Sequence, residues 1–357
     1  VRAVSRVVLD KGKAAPIEAA SLRRILVLRA DDRVGNVLLT TPLVRALREG
    51  LPHVRIDWLI AGRRRALVDG LFLADKLIPF DVRTMRRNPL VLAHLLWQLR
   101  ANAYDAVIDA AHHDTFSLTS AMLTRWTSAP VRIGHERGDA AHFYSHPVPA
   151  PEGDRSDVAM KLALLGPLGL RPRGWQLETS LGLGPDVAEK SASVLAAARL
   201  EKTPFLVLNP GARKVERRFP PGAFGIISAR IAEATGIRSL VVWGPGEEEL
   251  AHETVATSKG AAVVAAATDL NLLAGLIRRA AGLITNDTGP MHLGVACGRP
   301  VLALFTVDAA ARWGHAVPSF RSIAAWPGAA DPVKATVEAA SELLGRPALE
   351  RAGSPLG

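Results

Sequence analysis

The sequence predicts an α/β protein of two Rossmann-like domains whose strand-end loops face a central cleft. Three observations predict it. The 357 residues exceed what one hydrophobic core usually organises. Short apolar runs alternate with stretches long enough for helices, the pattern of βαβ units and a parallel sheet. The alternation pauses at a Pro- and Gly-rich junction, residues 166–185, and then starts again.

In the first half, an irregular basic opening (residues 1–21) leads into Ile25, Leu26, Val27 and Leu28, an apolar run of buried-strand type. A polar loop, residues 29–36, follows. One helix is predicted over residues 37–48, with Pro42 near its start as a site of delay or kinking. Further strands are predicted at 55–60, 76–80, 106–110 and 131–134. In the second half, five strands are predicted at 205–208, 239–243, 262–265, 282–285 and 301–305. A last amphipathic helix, residues 333–344, carries Val337, Ala340, Leu343 and Leu344 on one face. The predicted domains are 1–178, which would bind an acceptor, and 179–330, which would bind a nucleotide. Residues 331–357 are predicted to pack back on the first domain.

The composition, 48% hydrophobic and 22% charged, is that of a soluble globular protein. No apolar run is long enough to span a bilayer, and the N-terminus lacks the pattern of a signal peptide, which places the chain in the cytoplasm. The lone Cys297 excludes an internal disulfide and a multi-cysteine zinc site. A formal charge of +10 points to a polyanionic partner: nucleic acid, an anionic membrane face or a phosphorylated substrate. With 5% aromatic residues and no interleaving of aromatic and basic positions, nucleic acid is set aside.

In open α/β sheets ligands sit beyond the carboxyl ends of strands, so the loops there carry the chemistry. Thr285-Asn286-Asp287-Thr288-Gly289-Pro290-Met291-His292 follows a strand and opens a helix. Asp287 or Thr288 can cap that helix, Gly289 admits close approach, and the first-turn N–H groups attract an anion. His292, one turn beyond Thr288, can point to the same ligand; the alternative is an ordinary capped helix with a core histidine. A second loop, Asn209-Pro210-Gly211-Ala212-Arg213-Lys214, runs on to Arg217-Arg218-Phe219-Pro220 and gathers cations suited to a diphosphate, unless it is a solvated basic loop. A third, Trp243-Gly244-Pro245-Gly246-Glu247-Glu248, sets Glu247 where it can accept hydrogen bonds from a ribose or simply begin a helix.

These three loops, in this order and spacing, resemble the C-terminal half of glycosyltransferase family 9, the lipopolysaccharide heptosyltransferases. In the first half, Asp32-Arg33-Val34-Gly35-Asn36-Val37-Leu38-Leu39-Thr40-Thr41-Pro42 is similar to the family's N-terminal segment. The resemblance implies a GT-B fold and inverting, metal-independent transfer from a nucleotide-diphosphate sugar, typically ADP-heptose, to a lipid-linked acceptor. No cofactor is implied. It assigns Thr288 and Gly289 to the phosphate, with supporting contacts from Asp287 and His292, and Glu247 to the ribose; Arg213 and Arg217 of the second loop are the candidate diphosphate cations. No Asp-x-Asp motif is present to hold a divalent ion.

Two departures bear on activity. The family carries an acidic residue, its candidate general base, where this chain has Asn36, and a lysine where it has Arg217. Asp32 or Asp31, in the same loop, is then the candidate base. Arg63, Arg64 and Arg65 follow a strand and form a candidate clamp for an anionic acceptor; His112 and His113 follow another and are candidates to touch it, or to act as a base. Three functions remain open: an active transferase working at the inner face of the membrane, a GT-B scaffold that binds nucleotide sugar without transferring it, and a nucleotide-sugar epimerase.

Overall fold

The computed structural model describes residues 16–136, 142–172 and 174–344. The chain divides into two compact units, Val1–Glu178 and Thr179–Gly357. The first unit runs β1 (Arg24–Arg29), α1 (Val34–Leu38), α2 (Thr41–Gly50), β2 (Arg55–Ala61), β3 (Lys76–Phe80), α3 (Val82–Arg87), α4 (Pro89–Ala101), β4 (Ala106–Asp109), α5 (Leu118–Trp126), β5 (Val131–His135), β6 (His146–Val148) and α6 (Asp157–Ala163). Its six strands are parallel in the order β3-β2-β1-β4-β5-β6, which is the doubly wound Rossmann order. Ile25 to Leu28 are fully buried because helices cover both faces of the central strand.

The single helix predicted over residues 37–48 is in fact two. Pro42 is the second residue of α2 and has no N–H to offer the Leu38 carbonyl; Thr41 Oγ1 donates to that oxygen instead, at 2.7 Å. Thr40 Oγ1 likewise donates to the Asn36 carbonyl at 2.8 Å. Two threonine hydroxyls thus satisfy the end of α1 and let the chain turn before α2 starts.

The second unit runs α7 (Pro185–Ala197), β7 (Phe205–Asn209), α8 (Pro221–Thr235), β8 (Arg238–Val241), α9 (Glu248–Ala256), β9 (Ala262–Val264), α10 (Leu270–Arg279), β10 (Gly282–Asn286), α11 (Gly289–Ala296), β11 (Val301–Phe305), α12 (Ala310–Trp313), β12 (Phe320–Ala324) and α13 (Pro332–Leu343). Its parallel order, β12-β11-β10-β7-β8-β9, repeats the first unit's plan. The ten strands read from the sequence are all present. β6 and β12 are additional, and each is an edge strand.

Within the second unit, Ala340 of α13 and the following Leu344 join Phe224, Ile227, Leu302 and Ile323 in the core, against an apolar surface formed by α8, β11 and β12. Residues 345–357 lie outside the described residues. Among the described residues, no helix is long and apolar enough to cross a membrane.

Candidate functional site

In the second unit the strand order reverses between β7 and β10, and the loops leaving these two strands are stitched together. Asn209, the last residue of β7, donates through Nδ2 to Thr285 Oγ1 at 2.9 Å and to the Gly211 carbonyl at 3.1 Å. Asn286, the last residue of β10, donates to the Pro210 carbonyl at 2.7 Å and accepts from the Phe219 amide at 3.0 Å. Two buried asparagines thereby fix the backbone at the switch point, where such folds take ligands.

Asp287 follows at once, and its carboxylate faces Arg217 Nη1 at 2.6 Å. Burial raises the Asp287 carboxyl above its usual value, against the pull of Arg217 and Lys214. The expected capping role goes unfilled by either candidate: Asp287 is turned to Arg217, and Thr288, extended at φ −153°, makes no capping bond. The N-terminus of α11 is left without a side-chain cap, so its partial positive charge is open to an anion.

Glu247 precedes α9 and bends back. Its Oε2 accepts from the Gly244 amide at 3.3 Å, and its Oε1 accepts from Arg218 Nη2 at 3.3 Å. Gly211 lies so close that a Cβ there would fall 2.1 Å from Glu247 Oε2. Glycine at that position is therefore what lets the loop after β7 meet the loop after β8. Arg218 also donates to the Ala212 carbonyl at 2.7 Å, whereas Arg213 is exposed. His292 is not aimed outward: it is buried and its Nδ1 lies 2.9 Å from Nε2 of His315, whose pKa burial pushes down to about 4.

In the first unit the reversal lies between β1 and β4, and a chain of charges is buried there. Arg29 ends β1, is 1% exposed, and lies with Nε 2.8 Å from Asp31 Oδ2. Its Nη1 donates to the Ala110 carbonyl at 2.8 Å and its Nη2 to His112 Nε2 at 2.9 Å. Since a guanidinium only donates, His112 Nε2 must accept, so the proton sits on Nδ1, which donates to Asp157 Oδ1 at 2.8 Å. Burial, the largest influence, lowers the His112 pKa and keeps the ring neutral. Asp157 also holds Lys161, one turn along α6. Asp157 stays well below the carboxylate range despite its burial, held there chiefly by Lys161 and then His112, and burial pushes Lys161 down to about 8. The basic lone pair of His112 is thus engaged by Arg29, which bears on its candidacy as a base and not on its candidacy to touch an acceptor. His113 is half-buried, with its ring 6.1 Å from that of His135.

The Asn36 side chain meets Asp31. Its Nδ2 donates to Asp31 Oδ1 at 2.7 Å, and the Arg33 amide adds a bond to the same oxygen at 3.2 Å. Asp32 points elsewhere. It receives Arg63 and Arg64, the latter with Nε 2.9 Å from Oδ1, from the 3₁₀ turn Gly62–Leu67 after β2. Arg65 pairs with Asp69 at 3.3 Å. The arginine triplet, the candidate clamp for an anionic acceptor, is paired here with the chain's own carboxylates. Asp31, Asp32, Arg63, Asp81 and Arg83 line a hollow of about 290 Å³ at the ends of β1, β2 and β3.

Arg29, Asp157 and Lys161 were not singled out from the sequence, and Arg218 and the asparagine pair entered there only as members of their loops. The Asp157 to Lys161 spacing, one helical turn in an otherwise apolar segment, was the available signal for the first network.

Two doubly wound parallel sheets, each with its polar loops gathered at the switch point, place the chain in the GT-B class of α/β proteins. A family model described as glycosyltransferase family 9 (heptosyltransferase) matches residues 92–336. The chain belongs to that family and is a glycosyltransferase. It is 26% identical over 282 residues to lipopolysaccharide heptosyltransferase 3 of Escherichia coli, covering 76% of this chain and 80% of that protein. It is also 26% identical over 305 residues to lipopolysaccharide heptosyltransferase 1 of Pseudomonas aeruginosa, covering 79% and 78%. Among solved structures, the family 9 glycosyltransferase from Veillonella parvula superposes with a TM-score of 0.79 at 21% identity, over 92% of this chain and 99% of that one. Heptosyltransferase WaaC of E. coli with ADP gives 0.70 at 20% identity, over 90% and 99%.

Proposed function

We propose that this glycosyltransferase moves a heptose from ADP-heptose to a lipopolysaccharide-type acceptor, with inversion and without a metal ion, at the cytoplasmic face of the inner membrane. The observation that carries the donor assignment is the uncapped start of α11 beside Arg217 and Arg218 at the β7/β10 switch point. Backbone N–H groups and guanidiniums there supply the positive charge that a departing diphosphate requires. The heptose and the adenine nucleotide are carried over from relatives named for lipopolysaccharide heptosyl transfer and from WaaC structures with ADP and with ADP-2-deoxy-2-fluoro heptose.

In the proposed step an acceptor hydroxyl attacks the anomeric carbon opposite the diphosphate, the bond to the diphosphate oxygen breaks, and the hydroxyl proton passes to a carboxylate. Asp31 is the favoured acceptor of that proton over Asp32. It lies where the Asn36 side chain ends, whereas Asp32 has guanidiniums from both Arg63 and Arg64 on it. The Asn36 amide orients the Asp31 carboxylate. Glu247 is assigned to the ribose, and Arg63 to Arg65 to acceptor anions, which would displace Asp32 or Asp69 from them.

Release of ADP from ADP-heptose, with and without a heptose-deficient lipopolysaccharide acceptor and in the presence of EDTA, tests this reading. Acceptor-dependent release that survives the chelator is expected. Loss in EDTA with recovery on adding Mg²⁺ would end the metal-free mechanism. The absence of acidic residue 36 favours a second reading, a nucleotide-sugar-binding scaffold; ADP binding with no release on any acceptor would establish it instead.

A further inference from the structure

We propose that the adjacent helices α4 and α5 of the first unit form a docking face for an anionic phospholipid bilayer. Most of an amphipathic helix's apolar residues should be buried, yet these two helices turn large ones outward. On α4, Leu90 is 76% and Trp97 66% exposed; on α5, Leu118, Met122 and Trp126 are each close to half exposed. Leu118, Met122 and Trp126 recur every four residues and so share one face of α5, as Leu90, His94 and Trp97 do on α4. The two faces are joined, because Trp126 Nε1 donates to the Leu96 carbonyl of α4 at 2.8 Å and Arg100 reaches back to the Trp126 carbonyl at 3.4 Å. Contiguous apolar exposure of this kind marks an interaction surface.

Charge decides the occupant. Residues 82–104 and 115–135, which contain α3, α4 and α5, hold Arg83, Arg86, Arg87, Arg100, Arg125 and Arg132 and not one Asp or Glu. Arg86 and Arg87, in the last turn of α3, are exposed beside the start of α4. Two exposed tryptophans with an apolar strip and a cationic border match the layering of a bilayer: indoles at the headgroup level, apolar side chains below it, and guanidiniums on the phosphates. This inference supplies the surface for the lipid-linked acceptor of the proposed function. It rests on that reading only in the choice of a lipid partner.

The test is flotation of the full chain with vesicles of phosphatidylcholine alone and of phosphatidylcholine containing about a quarter phosphatidylglycerol. Wild type is expected to float with the anionic vesicles and to lose this in high salt. Trp97→Ser with Met122→Ser, and separately Arg86→Glu with Arg87→Glu, should each weaken partitioning by about tenfold or more, given ~1 kcal/mol per cation and similar contributions from each buried apolar side chain. The charge-matched control Lys190→Glu with Lys202→Glu, on exposed positions of the second unit, should change it less than about twofold if the surface rather than net charge decides. Equal flotation of wild type and both double variants would overturn the proposal. So would a concentration-dependent dimer that the Trp97 and Met122 changes dissociate while flotation is untouched, which would make the face a self-interface. ADP binding measured on the same samples separates the two readings: flotation without ADP binding sinks the transferase reading alone, and ADP binding without flotation sinks this one.

Discussion

Replacing Asn36 by Asp restores the acidic residue that the family resemblance implies, but the structure gives the change an unexpected cost. Asn36 Nδ2 lies 2.7 Å from Asp31 Oδ1. A carboxylate in its place faces another carboxylate with the charge centres about 4 Å apart, a repulsion of about 4 kcal/mol at an effective dielectric near 20. Arg29, 2.8 Å from the other Asp31 oxygen, offsets part of this. The remaining repulsion favours a form in which the pair keeps one proton. The folded variant then holds a proton that its unfolded chain, with ordinary carboxyls, releases near pH ~4. Its stability relative to wild type therefore falls as pH rises above about 4, by about 2 to 3 kcal/mol in all. Urea unfolding of Asn36→Asp and wild type at a series of pH values reads this directly. Turnover at neutral pH is expected to be kept, since the pair then has at least one ionised carboxylate. A stability difference that is the same at every pH would show that the two side chains do not face each other, and the argument for Asp31 would fall with it.

Asp31→Asn should lower turnover by about 10²-fold or more with ADP affinity nearly intact, and Asp32→Asn should lower it less; two variants with unchanged turnover would exclude both residues as the base. Arg217→Ala leaves the buried Asp287 carboxylate without its ion pair, so about 3 kcal/mol of stability and most ADP affinity should be lost, and adding Asp287→Asn should recover stability but not ADP binding; calorimetry of the single and double variants checks this. Burial holds the His315 pKa at about 4 against an ordinary 6.5, so the unfolded chain binds a proton that the folded chain refuses between these values. Stability should drop as pH falls through that window, by about 3 kcal/mol, and His315→Gln should remove this part of the slope; identical acid profiles would contradict it. Gly211→Ala should disable ADP binding, because its Cβ would collide with Glu247; an unaltered affinity would mean that these loops can separate at no cost.

The fold class was legible because buried parallel strands are nearly continuous apolar runs, and Ile25 to Leu28 or residues 301–305 resemble little else. The two strands overlooked are edge strands. His146–Val148 is three residues with a central proline, and Phe320–Ala324 turns Arg321 and Ser322 outward, so neither carries that signature. The switch-point loops of the second unit were legible from glycine and cation placement after strands. What could not be read was which charge meets which: Asp287 as a helix cap or as the partner of Arg217, and His292 as a ligand contact or as the partner of His315, are equivalent in sequence. They differ only through contacts distant along the chain. The same holds for Asn36, whose meaning depends on Asp31 being at the tip of its side chain. For the terminal helix, an amphipathic pattern states that a face is buried and not by what.

The position of β1 has a consequence for how the chain is made. It sits inside its sheet, bonded to β2 on one edge and to β4 on the other. A nascent chain can lay β2 alongside as soon as Ala61 has left the ribosome, but the opposite edge of β1 stays bare until Asp109 follows. β7 repeats the situation, with β8 arriving early and β10 late. Each unit therefore completes the pairing of its central strand only when its fourth strand arrives, after two other strands and the helices between them. Until then an apolar strand edge stays open to the wrong neighbour.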